Sequence, residues 1–334
     1  MAQMSLASLR ARTTRAGLLT ALAALLPWSW FLWRDGFRLP LLGRTPPRVV
    51  LEGVAVLLPV LVAAGVAAVL VLAGLRRRPG PVVVAASLAL FGVVAVVLPW
   101  RPRPGPRPVD PVRVLVANAR FDNDEVEAAA ADITGQDGDV VVVPEVPPEL
   151  HERLSELFPS ALRAYGGPRQ GAVGVYSRWP LDREERRDRL MRSGAFRLVV
   201  DGPAGPFVLY AVHFAPLGLG RGRVGPAEQE RMIERLRRAV AEETGPVVVA
   251  GDLNVVDRSP LYRRLTDVLD DATTRSWRGP TSLRWRVLLA RIDHVLVSED
   301  WCGGSSGTYS VAGSDHRGVS VEVGPCPGQG GSAG

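Results

Sequence analysis

The sequence predicts an α/β protein in two parts: three N-terminal transmembrane helices, then a four-layer α/β/β/α sandwich. Three observations carry this reading. Charge-free apolar stretches crowd the first hundred residues, short β-branched runs alternate with helical patterns through the rest, and a Pro/Arg segment divides the two. Charge follows the same division. Residues 1–100 hold ten Arg against two acids, Asp35 and Glu52, whereas residues 101–334 hold 30 Arg and 32 acids. Every basic residue of the chain is Arg. A hydrophobic share of 47% excludes intrinsic disorder, and the 35 Gly follow no G-x-y period, which excludes a collagen-like chain. Two Cys in 334 residues exclude a disulfide-framework miniprotein and a Cys-rich zinc module.

The front third comes first. Residues 16–33, 53–75 and 79–100 carry no charge and are bounded by Arg15, Arg34, Arg76–Arg78 and Arg101. A spanning helix needs about 20 apolar residues, so three spans are expected. The first competes with a cleaved signal peptide, because Arg10, Arg12 and Arg15 resemble a basic leader region. Trp28, Trp30 and Trp33 crowd its far end as an interfacial belt would, and no small-x-small cleavage site follows, so a retained helix is expected. Pro27 and Pro59 are tolerable in membrane helices. The overall positive-inside count does not decide orientation. The basic N-terminus and the Arg76–Arg78 cluster in a short turn favour an N-terminus inside. Three crossings then make a multi-pass cell-membrane protein with its C-terminal domain outside the cytoplasm. Residues 101–111, RPRPGPRPVDP, read as an extended, semi-rigid spacer.

The expected strands of the back part are Val112–Ala117, Asp139–Val143, Ala172–Ser177, Arg197–Val200, Phe207–Val212, Val247–Ala250, Ile292–Val297 and Val319–Val323. Helical patterns fall at Asp124–Thr134, Pro148–Leu157, Pro226–Glu243 and Ser259–Leu269. The strand runs are too continuously apolar for burial on one face, so sheets covered on both faces are expected. Pro226 suits a first helical position, and Gly245-Pro246 stops that helix. About 220 residues of this pattern can bury a full core. The expected organisation is a membrane domain over 1–100, a linker over 101–111, an α/β domain over 112–324 and a flexible Gly-rich tail over 325–334.

Polar residues stand where the strands stop. Asn118 follows VLVA, Glu145 follows DVVVVP and His213 follows VLYAV; Asp252 and Asn254 lie in VVVAGDLN, Asp293 in RIDHVLV, and Asp315 and His316 in GSDHRGVSVEV. A lone Asn at a strand end is usually a turn residue, and a lone carboxylate a cap. Six such clusters in order across one domain point instead to a convergent site at one sheet edge. His294 follows Asp293 directly, so strand alternation sends it to the opposite face as a packing residue. His151, on a polar helix, is expected to be solvated.

This order of motifs resembles the endonuclease/exonuclease/phosphatase superfamily, of DNase I-like fold, over residues 112–323. Gly251-Asp252-Leu253-Asn254 and Ser314-Asp315-His316 are the most specific parts, and GAVGVYSRWPL at 171–181 is similar to the family's middle strand and its Ser-Arg-x-Pro turn. Leu253 stands where the family usually has Phe. Arg120 stands where some nucleases carry a second acidic metal ligand. The resemblance implies a metal-dependent hydrolase of phosphoester or pyrophosphate bonds using Mg²⁺, with Mn²⁺ as the alternative. Glu145 is then the principal hard ligand, helped by Asn118. Asp252 orients and deprotonates the attacking water. Asn254 and His213 donate to phosphate oxygens. His316, held by Asp293, stabilises the transferring phosphoryl group, and Asp315 borders both the metal and His316.

Reaction type leaves the substrate open. Residues 114–334 hold 26 Arg and 31 acids, so nucleic acid is not expected as a partner. A membrane and a phosphorylated lipid are. The layout of three helices, Pro/Arg spacer and C-terminal phosphatase-type domain resembles the VanJ-type teicoplanin-resistance proteins, which implies an undecaprenyl pyrophosphate phosphatase. An extracytoplasmic nuclease or sphingomyelinase-like phosphodiesterase is the alternative, and a non-catalytic binding module is disfavoured by the complete motif set. The segment LGLGRGRVGP at 217–226 reads as a surface loop, or as one whose Arg221 and Arg223 reach an anionic substrate. An exported domain would permit a Cys302–Cys326 disulfide, weighed against two unrelated thiols.

Overall fold

The structure is a computed structural model that describes residues 48–76, 79–103, 105–165, 171–183, 194–218, 223–276, 278–282 and 290–328. The chain divides into two compact units between Pro99 and Trp100.

In the first unit, helix α1 (Arg48–Arg76) packs on helix α2 (Pro79–Gly92), which continues through a π-helical turn at Val93–Val97 and a 3₁₀ turn at Leu98–Trp100. Gly92 permits the close approach, because a Cβ there would meet Val62 Cγ1 at 2.6 Å. Leu61, Leu70, Val71, Val83, Leu90 and Val93 stay exposed. Of the three expected spans, 16–33 lies outside the described residues. Among those described, one helix, Val82–Trp100, is long and apolar enough by length and composition to cross a membrane, whereas Ala55–Val71 is a shorter apolar helix.

The second unit is two mixed six-stranded sheets. The first runs, in spatial order, Trp301–Ser310 (β11), Arg317–Pro325 (β12), Val112–Val116 (β1), Val140–Pro144 (β2), Ala172–Ser177 (β4) and Ser160–Tyr165 (β3). The second runs Leu181–Asp182 (β5), Ala195–Gly202 (β6), Gly205–His213 (β7), Val247–Asp252 (β8), Asp293–Val297 (β10) and Asp270–Asp271 (β9). Alternation along the strands builds three apolar interfaces. Val114, Val116, Val140 and Val142 face Leu198, Leu209, Val248 and Val295 across the space between the sheets. Leu115, Val141 and Val143 instead meet Ala129, Ile133, Leu150 and Leu154 of helices α3 (Val126–Thr134) and α4 (Pro148–Ser155). Val247 and Val249 pack against Ile233, Leu236 and Leu265 of helices α5 (Pro226–Ala241) and α6 (Pro260–Thr266). The result is the expected α/β/β/α order. Each fully buried Val or Leu contributes about 1.5–3 kcal/mol by leaving water. Pro226 opens α5 as expected.

Four strands were not anticipated: β3, β5, β9 and β11. The spacer also differs from expectation. Arg103 N donates to Thr274 O at 2.7 Å and Val109 N to Pro325 O at 2.9 Å, while the Trp100 indole donates to Asp257. An extended chain has its remaining N–H groups free for lateral bonding, so this segment lies along the domain instead of standing off it. His151 is half-buried with Nδ1 2.8 Å from Tyr176 Oη, and is not a solvated residue. Pro325 closes β12 and Cys326 N donates to Asp300 O at 3.0 Å, so the tail begins later than 325; residues from 329 lie outside those described. Cys302 and Cys326 are both unbonded thiols. Burial first, then a hydrogen bond with Cys302, push the Cys326 thiol up to about 12.

A buried ion cluster ties β9 to the chain before β10. Arg291, 2% exposed, donates to both carboxylate oxygens of Asp271 at 2.9 and 3.1 Å. Asp271 also accepts from Arg278, Tyr262, Thr273 Oγ1 and the Thr273 backbone N–H. Burial opposes the Asp271 charge, but Arg291 and Arg278 outweigh it and hold the carboxyl far below its usual range.

Candidate active site

Both sheets deliver polar groups to one edge because each has a central parallel pair. β1 runs parallel to β2 and β7 parallel to β8, so their C-terminal ends coincide. The ladders continue past the strand ends: Ala119 N donates to Pro144 O, and Phe214 N to Asp252 O, each at 2.9 Å. Asn118, Glu145, His213 and Asp252 are thereby placed at that edge. β10 is antiparallel to β8 with Asp293 opposite Asp252, and β12 antiparallel to β1 with Val319 opposite Val116, so these strands start where the others end.

The backbone there is unusual. Arg120, Glu145 and Asn254 all have positive φ, at 64°, 54° and 48°. Such conformations cost about 1–3 kcal/mol each and persist only where the surroundings impose them. Gly251 has φ 143°, and a Cβ on it would lie 1.9 Å from Val212 O, so the glycine before Asp252 admits no side chain.

The side chains form one connected group. Asn118 Nδ2 donates to Glu145 Oε1 and to Asp252 Oδ2, each at 3.1 Å. His213 Nε2 is 3.4 Å from Glu145 Oε1 and 3.9 Å from Asp252 Oδ2. His316 Nδ1 is 2.8 Å from Asp293 Oδ2. Burial raises Asp252, Asp293 raises it further, and together they push it up to about 7 against the opposing pull of His316 and His213. Burial would lower His316, but Asp293, by charge and hydrogen bond, carries it to about 10. Burial likewise opposes ionisation of Glu145, yet the hydrogen bond and charge of His213, with Asn118, bring it down to about 2.

Seven of the eight expected site residues meet here: Asn118, Glu145, His213, Asp252, Asn254, Asp293 and His316. Two details go beyond expectation. Asn118 Oδ1 accepts from Arg120 N at 3.0 Å, which turns the amide NH₂ toward the carboxylates. Asn118 is therefore a bridge between Glu145 and Asp252 in this arrangement, and its oxygen keeps a second lone pair. Asn254 Nδ2 donates to Phe214 O at 2.8 Å and Asp252 Oδ2 at 3.2 Å, so its amide braces the site instead of pointing at a substrate. Asp315, the eighth, acts by its charge on His316 and Arg120. His294 packs as expected, buried with Nε2 2.9 Å from Val255 O. Arg221 lies outside the described residues, and Arg223 donates to Leu217 O of its own loop at 3.1 Å.

The donor set suits a divalent cation. Glu145, His213 and Asp252 present ligand atoms within 4.8 Å of one another, as do Asp252, Asp293 and His316. Asp293 Oδ1 is moreover a buried carboxylate oxygen with no hydrogen-bond partner among the described residues. Carboxylate-rich sites of this kind fit a hard cation of the Mg²⁺ class.

Residues not anticipated also serve the site. Ser314 Oγ donates to Asn118 O at 2.6 Å and accepts from His316 N at 3.0 Å, joining the two halves. Asn123 donates to Ala119 O and Ala312 O, each at 2.8 Å. Phe121 offers its peptide N–H to Glu145 Oε2 at 3.4 Å, while its side chain is 71% exposed.

Two packed mixed sheets with this polar edge define a phosphate-ester hydrolase fold. The Endonuclease/Exonuclease/phosphatase family matches residues 115–316, and the chain belongs to that family, whose members are hydrolases of phosphate-ester bonds and generally depend on divalent metals. Among solved structures, an endonuclease/exonuclease/phosphatase from Beutenbergia cavernae is similar at 20% identity, over 65% of this chain and 72% of that one, with a TM-score of 0.50. One from Bacteroides vulgatus is similar at 19% identity, over 64% and 99%, with a TM-score of 0.51. These likenesses show the fold alone. No curated protein matches the chain.

Proposed function

We propose that this chain is a membrane-anchored, Mg²⁺-dependent phosphohydrolase acting on a phosphorylated lipid, first of all a polyprenyl pyrophosphate of the undecaprenyl type, in cell-wall lipid recycling or teicoplanin resistance. The observation that carries the hydrolase reading is the connected group Asn118–Glu145–Asp252–His213 beside the Asp293–His316 pair. The apolar side chains exposed along α1 and the segment Val82–Trp100 support an anchor. Phe121 supports a lipid, because it offers bare apolar surface one peptide from the Glu145 carboxylate. The net acidity of residues 114–334 argues against a polyanionic duplex.

A cation held by Glu145, helped by Asn118, would supply charge neutralisation of the phosphoryl oxygens. Asp252 takes the proton of the attacking water, and its raised affinity for protons suits that task near neutrality. His316, kept protonated by Asp293, offers Nε2–H to a phosphoryl oxygen. His213 stands beside Glu145 to donate a second time.

Full-length protein in detergent is expected to release phosphate from undecaprenyl pyrophosphate and to leave a supercoiled plasmid intact. EDTA and Glu145→Ala are each expected to cut the rate by orders of magnitude with the fold retained. Plasmid nicking or sphingomyelin cleavage without lipid-pyrophosphate turnover would replace this reading with an extracytoplasmic nuclease or phosphodiesterase. Parent-rate turnover by Glu145→Ala in EDTA would end the metal assignment.

Anchoring has its own test. An alkaline phosphatase fused after residue 330 should be active in cells, and a fluorescent protein that matures only in the cytoplasm should be dark there. The opposite pattern would place the site inside and remove an outer-leaflet lipid as substrate.

A further inference from the structure

We infer that Thr281 is the positioning residue of the Asp293–His316 pair, acting through the main chain on both sides of it. This rests on the reading that the pair is catalytic. Thr281 lies in the chain ahead of β10, 12 residues before Asp293, and is fully buried. Its Oγ1 accepts from Asp293 N at 3.1 Å and from Ile292 N at 3.1 Å. Its carbonyl oxygen accepts from Arg317 N at 2.7 Å, the residue after His316, and its own N–H goes to Ala290 O at 2.9 Å. Ser282 adds bridges to His316 and to Ala290. One residue therefore clamps the chain at the start of β10 to the chain at the start of β12.

The clamp matters because it ties the two strand starts to each other directly, beside the β8–β10 ladder that carries Asp293 and the Ser314 hydroxyl that accepts from His316 N. Among the described residues the Asp293 carboxylate makes one protein hydrogen bond, that of Oδ2 with His316 Nδ1, and Oδ1 has none. With the side chain held at a single point, the direction of the carboxylate is set by where its backbone sits. That backbone hangs on the Thr281 hydroxyl, and the backbone beyond His316 hangs on the Thr281 carbonyl. A shift of about 1 Å at a reacting group costs about 10²-fold in rate, so a residue that touches no substrate can still govern the chemistry.

Thr281→Val keeps the volume and leaves two buried N–H groups without an acceptor; Thr281→Ser keeps the acceptor. The readouts are kcat and KM of the full-length protein in detergent, on undecaprenyl pyrophosphate or, if the parent does not turn it over, bis(4-nitrophenyl) phosphate. They are joined by the NMR resonance of the His316 Nδ1–H in ¹⁵N-histidine-labelled protein. The inference expects Thr281→Val to lose about 10²-fold in kcat with KM within about threefold, and to lose or shift the hydrogen-bonded His316 resonance. Thr281→Ser should keep both near parent. A folded Thr281→Val with parent kcat and an unmoved resonance overturns the inference, and so does a Thr281→Ser variant as impaired as the valine. Should Thr281→Val fail to fold, Thr281→Cys, of similar size and with a weak acceptor, decides: a parent-like rate and resonance overturn the role. His316→Ala separates the two levels. If it stays active, the catalytic reading of the site fails; if it is dead while Thr281→Val is unimpaired, only the clamp fails.

Discussion

Asp252→Asn and His316→Ala are each expected to lower kcat by about 10²–10⁴-fold, and the double variant to be little slower than the worse single one. In the proposed mechanism Asp252 and His316 serve one displacement, the first removing a proton from water while the second meets the charge on the phosphoryl oxygens. Removing either leaves the other with nothing to act upon, so the second substitution adds little. The geometry supports such a unit. Asp252 and Asp293 face each other across the β8–β10 ladder, and His316 bonds Asp293. Asparagine preserves the shape of Asp252 but removes its charge and one of its two acceptor oxygens, so a loss in that variant reports the carboxylate as a whole. Steady-state kinetics on the two single variants and the double variant decide it. Losses that multiply would mean that the two residues act in separate steps.

Asp271→Asn is expected to destabilise the catalytic unit by about 3–5 kcal/mol. It leaves Arg291, which is buried, without the carboxylate that both its terminal nitrogens engage, and weakens the hold on Arg278. For a domain of this size that corresponds to about 10 °C in Tm. The pH dependence has a definite sign. Because the folded carboxyl is held below its unfolded value of about 4, its stabilisation is present above that pH and is lost as pH falls toward the folded value. The parent should therefore lose stability as pH drops below about 4, and the asparagine variant should show a shallower loss over the same window. Denaturant curves followed by tryptophan fluorescence at pH 7 and pH 3 measure both effects. Equal midpoints for parent and variant at pH 7 would show that the cluster contributes nothing net.

The strands that were legible in the sequence and those that were not separate by position in the sheets. The eight anticipated strands are all interior and paired on both sides, and the most enclosed of them, β2 and β8, carry unbroken β-branched runs such as VVVV at 140–143. The four unanticipated ones, β3, β5, β9 and β11, are the four sheet edges. An edge strand has one ladder and more solvent, so SALRAY and WCGGSSGTYS can be polar and glycine-rich and read as loops. The site was legible for a related reason. Its residues terminate interior strands, where a polar side chain after an apolar run stands out. Thr281 and Asn123 gave no such signal, since they act from loops through backbone hydrogen bonds that no spacing encodes. The facing of the Asn118 and Asn254 amides was equally hidden, because it depends on which neighbours compete for each nitrogen.

The first strand of the domain, β1, pairs with the last, β12, and His316 immediately precedes that last strand. Synthesis proceeds from the other end, so β1 waits through some two hundred residues of translation with one side of its backbone unpaired. Nothing made before that point contains the whole candidate site, which is completed only when the final strand docks, at the same step that the open flank of β1 is closed.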